Sequence, residues 1–97
     1  MRPYRNLKMA ELIGKEFGML LEREIYVENA LITVTDVTVT PDLLQAKVKL
    51  GIIPKAKELE SFLEVERRLP MFQHALLRKM NVRPMPRVAI ELDTRKE

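Results

Sequence analysis

The hydrophobic period of this chain changes once along its first half, and that change limits what it can fold into. Over residues 4–24, Met9, Leu12, Ile13, Phe17, Leu20 and Leu21 recur at helical spacing, leaving Lys8, Glu11, Lys15, Glu22 and Arg23 on the other side. Gly14 and Gly18, four apart, share one side of that helix and let a neighbour pack closely there. From residue 30 to residue 53 the period falls to two. The run ITVTDVTVT is rich in β-branched residues, which suit a half-buried pleated strand. Its phase slips, because Ile32 and Val34 share one parity and Val37 and Val39 the other. A bulge near Asp36 would return both halves to one buried face. The following run is expected to point Leu44, Ala46, Val48, Leu50 and Ile52 inward and Lys47 and Lys49 outward. Thr40-Pro41-Asp42 supplies turn chemistry between the runs, so the pair reads as a β-hairpin.

Gly51 and Pro54 close the second strand, and Ala56, Leu59, Phe62, Leu63 and Val65 or Glu66 then mark a second helix. Pro70 is expected to end that helix at a kink and to begin a third over residues 70–80, since a missing N–H costs nothing at the first helical position. Phe72, Ala75, Leu76 and Met80 give the third helix an apolar face. Asn81 tolerates the left-handed cap conformation and serves as a stop. Pro84 and Pro86 forbid further helix, and RVAIELD alternates as a last strand with Val88, Ile90 and Leu92 inward. The order α-β-β-α-α-β predicts an α+β two-layer sandwich: a three-stranded sheet covered on one face by three helices. One domain over residues 1–97 is expected, ordered over about 4–93.

The absence of cysteine excludes disulfides, thiolate metal sites and cysteine nucleophiles. The N-terminal stretch carries charges every few residues and reads as neither a signal peptide nor a membrane span, which predicts a soluble cytoplasmic chain. The net charge of +3 conceals an asymmetry: residues 1–66 hold nine Lys/Arg against eleven Asp/Glu, whereas residues 67–97 hold eight against three. The stretch ERRLPMFQHALLRKMNVRPMPR concentrates Arg67, Arg68, Arg78, Lys79, Arg83 and Arg87, with Arg2, Arg5 and Lys8 as an N-terminal supplement. A helix that packs on one side and shows cations on the other suits a polyanion. The competing reading is a solvated amphipathic helix whose arginines keep it soluble.

Catalytic chemistry is thin. His74 is the lone histidine and has no acid three or four residues away to orient it. Asp36 reads as a structural carboxylate at the bulge, and Asp42 belongs to the turn. Nucleotide, phosphate-loop, metalloprotease and serine-hydrolase motifs do not occur. The chain therefore reads as a binder, not an enzyme, with no cofactor, metal or small-molecule substrate. Without an exposed aromatic row, recognition would rest on phosphates and shape instead of base stacking. The alternatives are a protein–protein adaptor that meets an acidic partner, or a small enzyme built around Asp36 or His74.

The hairpin ITVTD–VTVTPDLLQAKVKL, the first helix ending in LLEREI, and the run from Leu76 to Pro86 with its Leu-Leu-Arg-Lys…Val-Arg-x-x-Pro pattern together resemble the ribosome-binding factor A family, over roughly residues 4–93. The resemblance implies a type II KH-like fold in which a helix–kink–helix replaces the glycine loop. It also implies a monomeric cytoplasmic protein that binds the immature 30S subunit through 16S rRNA, aiding late maturation, rRNA processing and cold adaptation. At the kink the family has Ala-x-Gly followed by an aromatic. Here Leu69, Pro70 and Met71 precede Phe72, so the aromatic matches and the small residues do not.

Overall fold

In the computed structural model, which describes residues 3–94, the elements follow the order helix, strand, strand, helix, strand. They are α1 (Pro3–Glu24), β1 (Leu31–Val39), β2 (Gln45–Ile53), α2 (Glu58–Met80) and β3 (Arg87–Leu92), with one 3-10 turn at Lys55–Lys57 before α2. The sheet order is β1-β2-β3, with β1 antiparallel and β3 parallel to β2. A parallel neighbour requires a crossover, and α2 is that crossover. The Cα extents of 42 × 30 × 16 Å fit a single helical layer on a single sheet.

The slip in phase along β1 is a bulge. Val34 pairs with Leu50 and Asp36 with Lys49, so Thr35 is the extra residue. On its two sides Ile32, Val34, Val37 and Val39 stand opposite Ile52, Leu50, Val48 and Ala46, all turned to the helices. Thr33, Thr35, Asp36 and Thr38 face the open side. The bulge swings Thr35 over Gly51, where an added Cβ would lie 2.8 Å from Thr35 Cγ2. Leu44, expected inward, is 51% exposed. Leu43 takes its place: at φ 65° it turns toward the core and packs against it, while the Leu44 N–H is tied to Asp42 Oδ1 at 3.0 Å.

Two predicted helices are one. α2 runs unbroken through Pro70, so the described residues form two α-helices and not three, and Pro70 is an interior residue instead of a first turn. The reason is the buried stripe of Ser61, Val65, Phe72 and Leu76, which continues in phase across the proline with Leu69 packed alongside. Contact with the core outweighs the backbone hydrogen bond that proline forgoes. Leu59 and Leu63, which helped mark the helix, face solvent, as does Leu12 of α1. Phe17 of α1 and Phe72 of α2, both fully buried, meet edge to face with ring centroids 5.2 Å apart and planes at 74°. Such a pair contributes about 0.5–1.5 kcal/mol beyond its burial. Asn81 stops α2 as expected, at φ 54° and ψ 43°, its N–H donating to Leu77 O.

Two outcomes follow from this packing. Replacing Pro70, which is exposed, with alanine restores an N–H to the Glu66 carbonyl, and should raise the thermal midpoint by about 5 °C, part of the helical gain being offset in the freer unfolded chain. A lower midpoint in a thermal melt would mean that proline shapes the helix there. Gly51→Ala should cost about 1–2 kcal/mol through its clash with the Thr35 methyl. Adding Thr35→Ser, which removes that methyl and keeps the hydroxyl, should recover most of the loss in chemical denaturation; no recovery would place the strain elsewhere.

Candidate nucleic-acid interface

The predicted site residues divide into two groups. Arg68 is part of the scaffold. Its Nη1 donates to Glu24 O and its Nη2 to Glu24 Oε1, both at 3.2 Å, with its side chain only 28% exposed. A guanidinium on the last carbonyls of α1 suits the negative end of that helix. Arg67 is exposed and held by Glu64 one turn back, at 2.7 Å from Nη2 to Oε2. Neither gathers with the other cations.

Arg5, Lys8, Arg78, Lys79, Arg83 and Arg87 are exposed, and among the described residues none has a carboxylate partner. Arg2 lies outside the described residues. The topology brings these six to one end of the fold. Asn6 Nδ2 donates to Val39 O at 2.9 Å, so the first turns of α1, with Arg5 and Lys8, stand beside the end of β1. Lys8 Nζ lies 5.8 Å from the Tyr4 ring centroid. The Arg87 N–H donates to Leu44 O, so β3 starts at the same end. α2 runs back to that end and closes with Arg78 and Lys79 in its last turn.

Gln73 fixes the loop between α2 and β3. Its Nε2 donates to Pro86 O at 2.8 Å and its Oε1 accepts the Val88 N–H at 2.9 Å. One side-chain amide thus satisfies the outer edge of β3 and sets where Arg83 and Arg87 stand. Beside this clamp a groove of about 870 Å³ runs between α2 and the loop, with Pro70, Leu77 and Met85 in its wall and Arg83 and Arg87 among its lining residues. The acid of the nearby hairpin turn, Asp42, is held as a carboxylate by bonds within the turn itself. Its Oδ1 accepts the Thr40 hydroxyl at 2.6 Å and the Leu44 N–H at 3.0 Å, and these hold its carboxyl below the usual aspartate range, the hydroxyl more strongly.

Asp36 and His74 do not meet. Asp36 lines a groove between α1 and β1, His74 the groove between α2 and the loop, and both are exposed. Among the described residues, no three of His, Cys, Asp and Glu gather in a way that could hold a metal ion, and no helix is long and apolar enough to cross a membrane. Gln73 and Asn6 escaped the sequence reading. The available signal for Gln73 was a polar residue directly after Phe72, flanking the apolar stripe.

Comparison with known proteins gives a consistent outcome. Residues 5–97 match the family model for ribosome-binding factor A. A ribosome-binding factor A of Akkermansia muciniphila is 30% identical over 89 residues, covering 92% of this chain and 71% of that protein. Another, from Clostridium beijerinckii, is 35% identical over 97 residues, covering 96% and 82%. A homology model of Thermus thermophilus ribosome binding factor A, fitted into the cryo-EM map of a 30S complex, shares the fold with a TM-score of 0.69 at 17% identity, covering 84% of this chain and 88% of that one.

The split between scaffold and free cations can be checked by acid titration. Arg23 first, and then Arg68, hold the Glu24 carboxyl below its usual range. A depressed carboxylate contributes stability above its unfolded value and loses it as pH falls through the folded one. Arg68→Ala should therefore lower the thermal midpoint at neutral pH, and the deficit should shrink below about pH 4. A deficit that stays constant with pH would assign the role of Arg68 to packing alone.

Proposed function

This chain belongs to the ribosome-binding factor A family, and from that we propose a non-catalytic assembly factor that binds the 30S ribosomal subunit through 16S rRNA during its late maturation. The observation that carries this reading is the convergence of Arg5, Lys8, Arg78, Lys79, Arg83 and Arg87 at one end of the fold, none of them ion-paired with a described carboxylate. Cations without internal partners retain their full charge for phosphates. The N-terminus of α1 reinforces them, since its first turn contains no acid. Arg68, bound to Glu24, ties α2 to the end of α1 behind that surface, and the exposed Arg67 is paired with Glu64 of its own helix.

In this reading the unit β2-α2-β3 is the type II KH-like core, and the continuous helix around Leu69, Pro70 and Met71 stands where a glycine loop would run. Backbone phosphates meet the cationic end, and the groove beside Gln73 takes an unpaired stretch of the same RNA. The protein acts as a cytoplasmic monomer without cofactor or metal, and a role in rRNA processing and cold adaptation follows from the same family membership. Roughly six phosphate contacts would make affinity fall by 10³ or more between 50 and 200 mM salt, if the scaling for duplex DNA carries over.

Reversing Arg78 and Lys79 together to glutamate should abolish co-sedimentation with 30S subunits while the thermal midpoint stays within about 2 °C, because both side chains are exposed. Retained association would remove them from the site. If the surface instead met an acidic protein, free 16S rRNA would fail to compete for it.

A further inference from the structure

Only one face of the sheet is covered by helices, and its open face is not electrostatically uniform. Residues of β2 and β3 with odd numbers point outward, and the pairing sorts them into rows across the strands. The row nearest the basic end is Thr40, Gln45 and Arg87; the next is Thr38, Lys47 and Ala89. Together these six border a shallow depression of about 290 Å³. The third row, Asp36, Lys49 and Glu91, carries two acids against one cation. Net positive charge is thus confined to the first two rows, where the face adjoins the end that carries Arg78, Lys79 and Arg83.

Lys47 is loosely held. Its Nζ stands 3.4 Å from Glu91 Oε1, while the other oxygen of the same carboxylate serves Lys49 at 3.9 Å, and the Lys47 side chain is 53% exposed. One exposed carboxylate shared by two lysines at such distances leaves a net positive charge at little energetic cost. Arg87 and Lys47 stand one strand and two residues apart, about 8 Å between backbones, with Ala89 offering no bulk between them. Two long cations over a flat floor, beside the exposed Thr38, suit a phosphodiester. The large apolar or aromatic anchor that a protein partner uses is lacking from these two rows.

We infer that the open face of the sheet at its basic end, with Lys47 and Arg87 flanking Ala89, is a second RNA-contacting surface that takes backbone phosphates. This rests on the 30S-binding reading above, and extends it around the corner from the cluster on α2. Arg87 is the residue common to both surfaces, so an RNA strand can pass from one to the other without leaving positive potential.

The experiment measures affinity for 30S subunits and for naked 16S rRNA across a salt series, using the full chain with Lys47→Glu, Ala89→Glu, Glu91→Gln and Lys55→Glu. The last places the same charge change on an exposed lysine at the far end of the molecule. Lys47→Glu should weaken both interactions about five- to tenfold, and reduce the salt slope by roughly one contact. Ala89→Glu should do the same without removing any cation, which keeps the test valid if Lys47→Glu alters folding. Glu91→Gln, which frees both lysines, should tighten binding, and Lys55→Glu should change it by less than about twofold. Lys47→Glu and Ala89→Glu behaving like Lys55→Glu, while Arg78→Glu/Lys79→Glu abolishes binding, would overturn this surface and leave the assembly-factor reading standing. Loss on the particle without loss on naked rRNA would assign the face to a ribosomal protein and overturn the phosphate reading. A wild-type chain that binds neither would remove both.

Discussion

The one-sided burial of β2 is the constraint from which the architecture follows. Ala46, Val48, Leu50 and Ile52 are buried while Gln45 and Lys47, on either side of Ala46, are exposed, so β2 has a single apolar face although it is the central strand. A sheet with one apolar face needs one layer over it, and α1 and α2 must share that side. Phe17 and Phe72 are where the two helices meet above it. Everything charged is then displaced to the helix exteriors, the ends of the sheet and the open face. Cations collect at the end where three chain segments turn, because turns and helix termini tolerate long, solvated side chains that the packed layer excludes.

Much of this was legible in the sequence. The strands were fixed by strict alternation, and even the bulge was readable, because the parity of Val34 and Val37 cannot be reconciled without an extra residue. Asn81 was readable for a local reason, the left-handed backbone that asparagine tolerates. Failures arose where tertiary contact overrode a local rule. Pro70 is a helix breaker in isolation, but Val65 and Phe72 are buried on either side of it in one helical phase, and the chain gains more by keeping that phase than it loses in one hydrogen bond. Leu44 yielded its place to Leu43 because Asp42 captures the Leu44 N–H, and no periodicity records a side-chain-to-backbone bond.

The candidate site was legible as composition and illegible as geometry. Arg67 and Arg68 look equivalent to Arg78 and Lys79 in sequence, being adjacent pairs on the same helix. Their partners separate them, and one partner, Glu24, is 44 residues away from Arg68. A basic residue becomes a candidate for external phosphate only once the internal carboxylates have been assigned. Gln73 shows the converse: an uncharged residue decides where Arg83 and Arg87 stand, through hydrogen bonds to Pro86 O and the Val88 N–H on either side of Arg87.

Charge segregation in so small a fold also has a kinetic consequence. Six cations at one end, none paired with a described carboxylate, and Glu58, Glu60 and Glu64 at the start of α2 near the other give the molecule a directional field. Such a field orients the approach to a polyanion before contact, and its reach shortens as salt rises. Orientation matters more here than for a protein with a deep pocket, since the surfaces are shallow and one residue, Arg87, joins them. A particle rich in phosphate offers countless non-specific contacts, and a protein whose cations were spread evenly would have no preferred way to land. Concentrating them beside a groove held by Gln73 converts a general attraction into a defined pose.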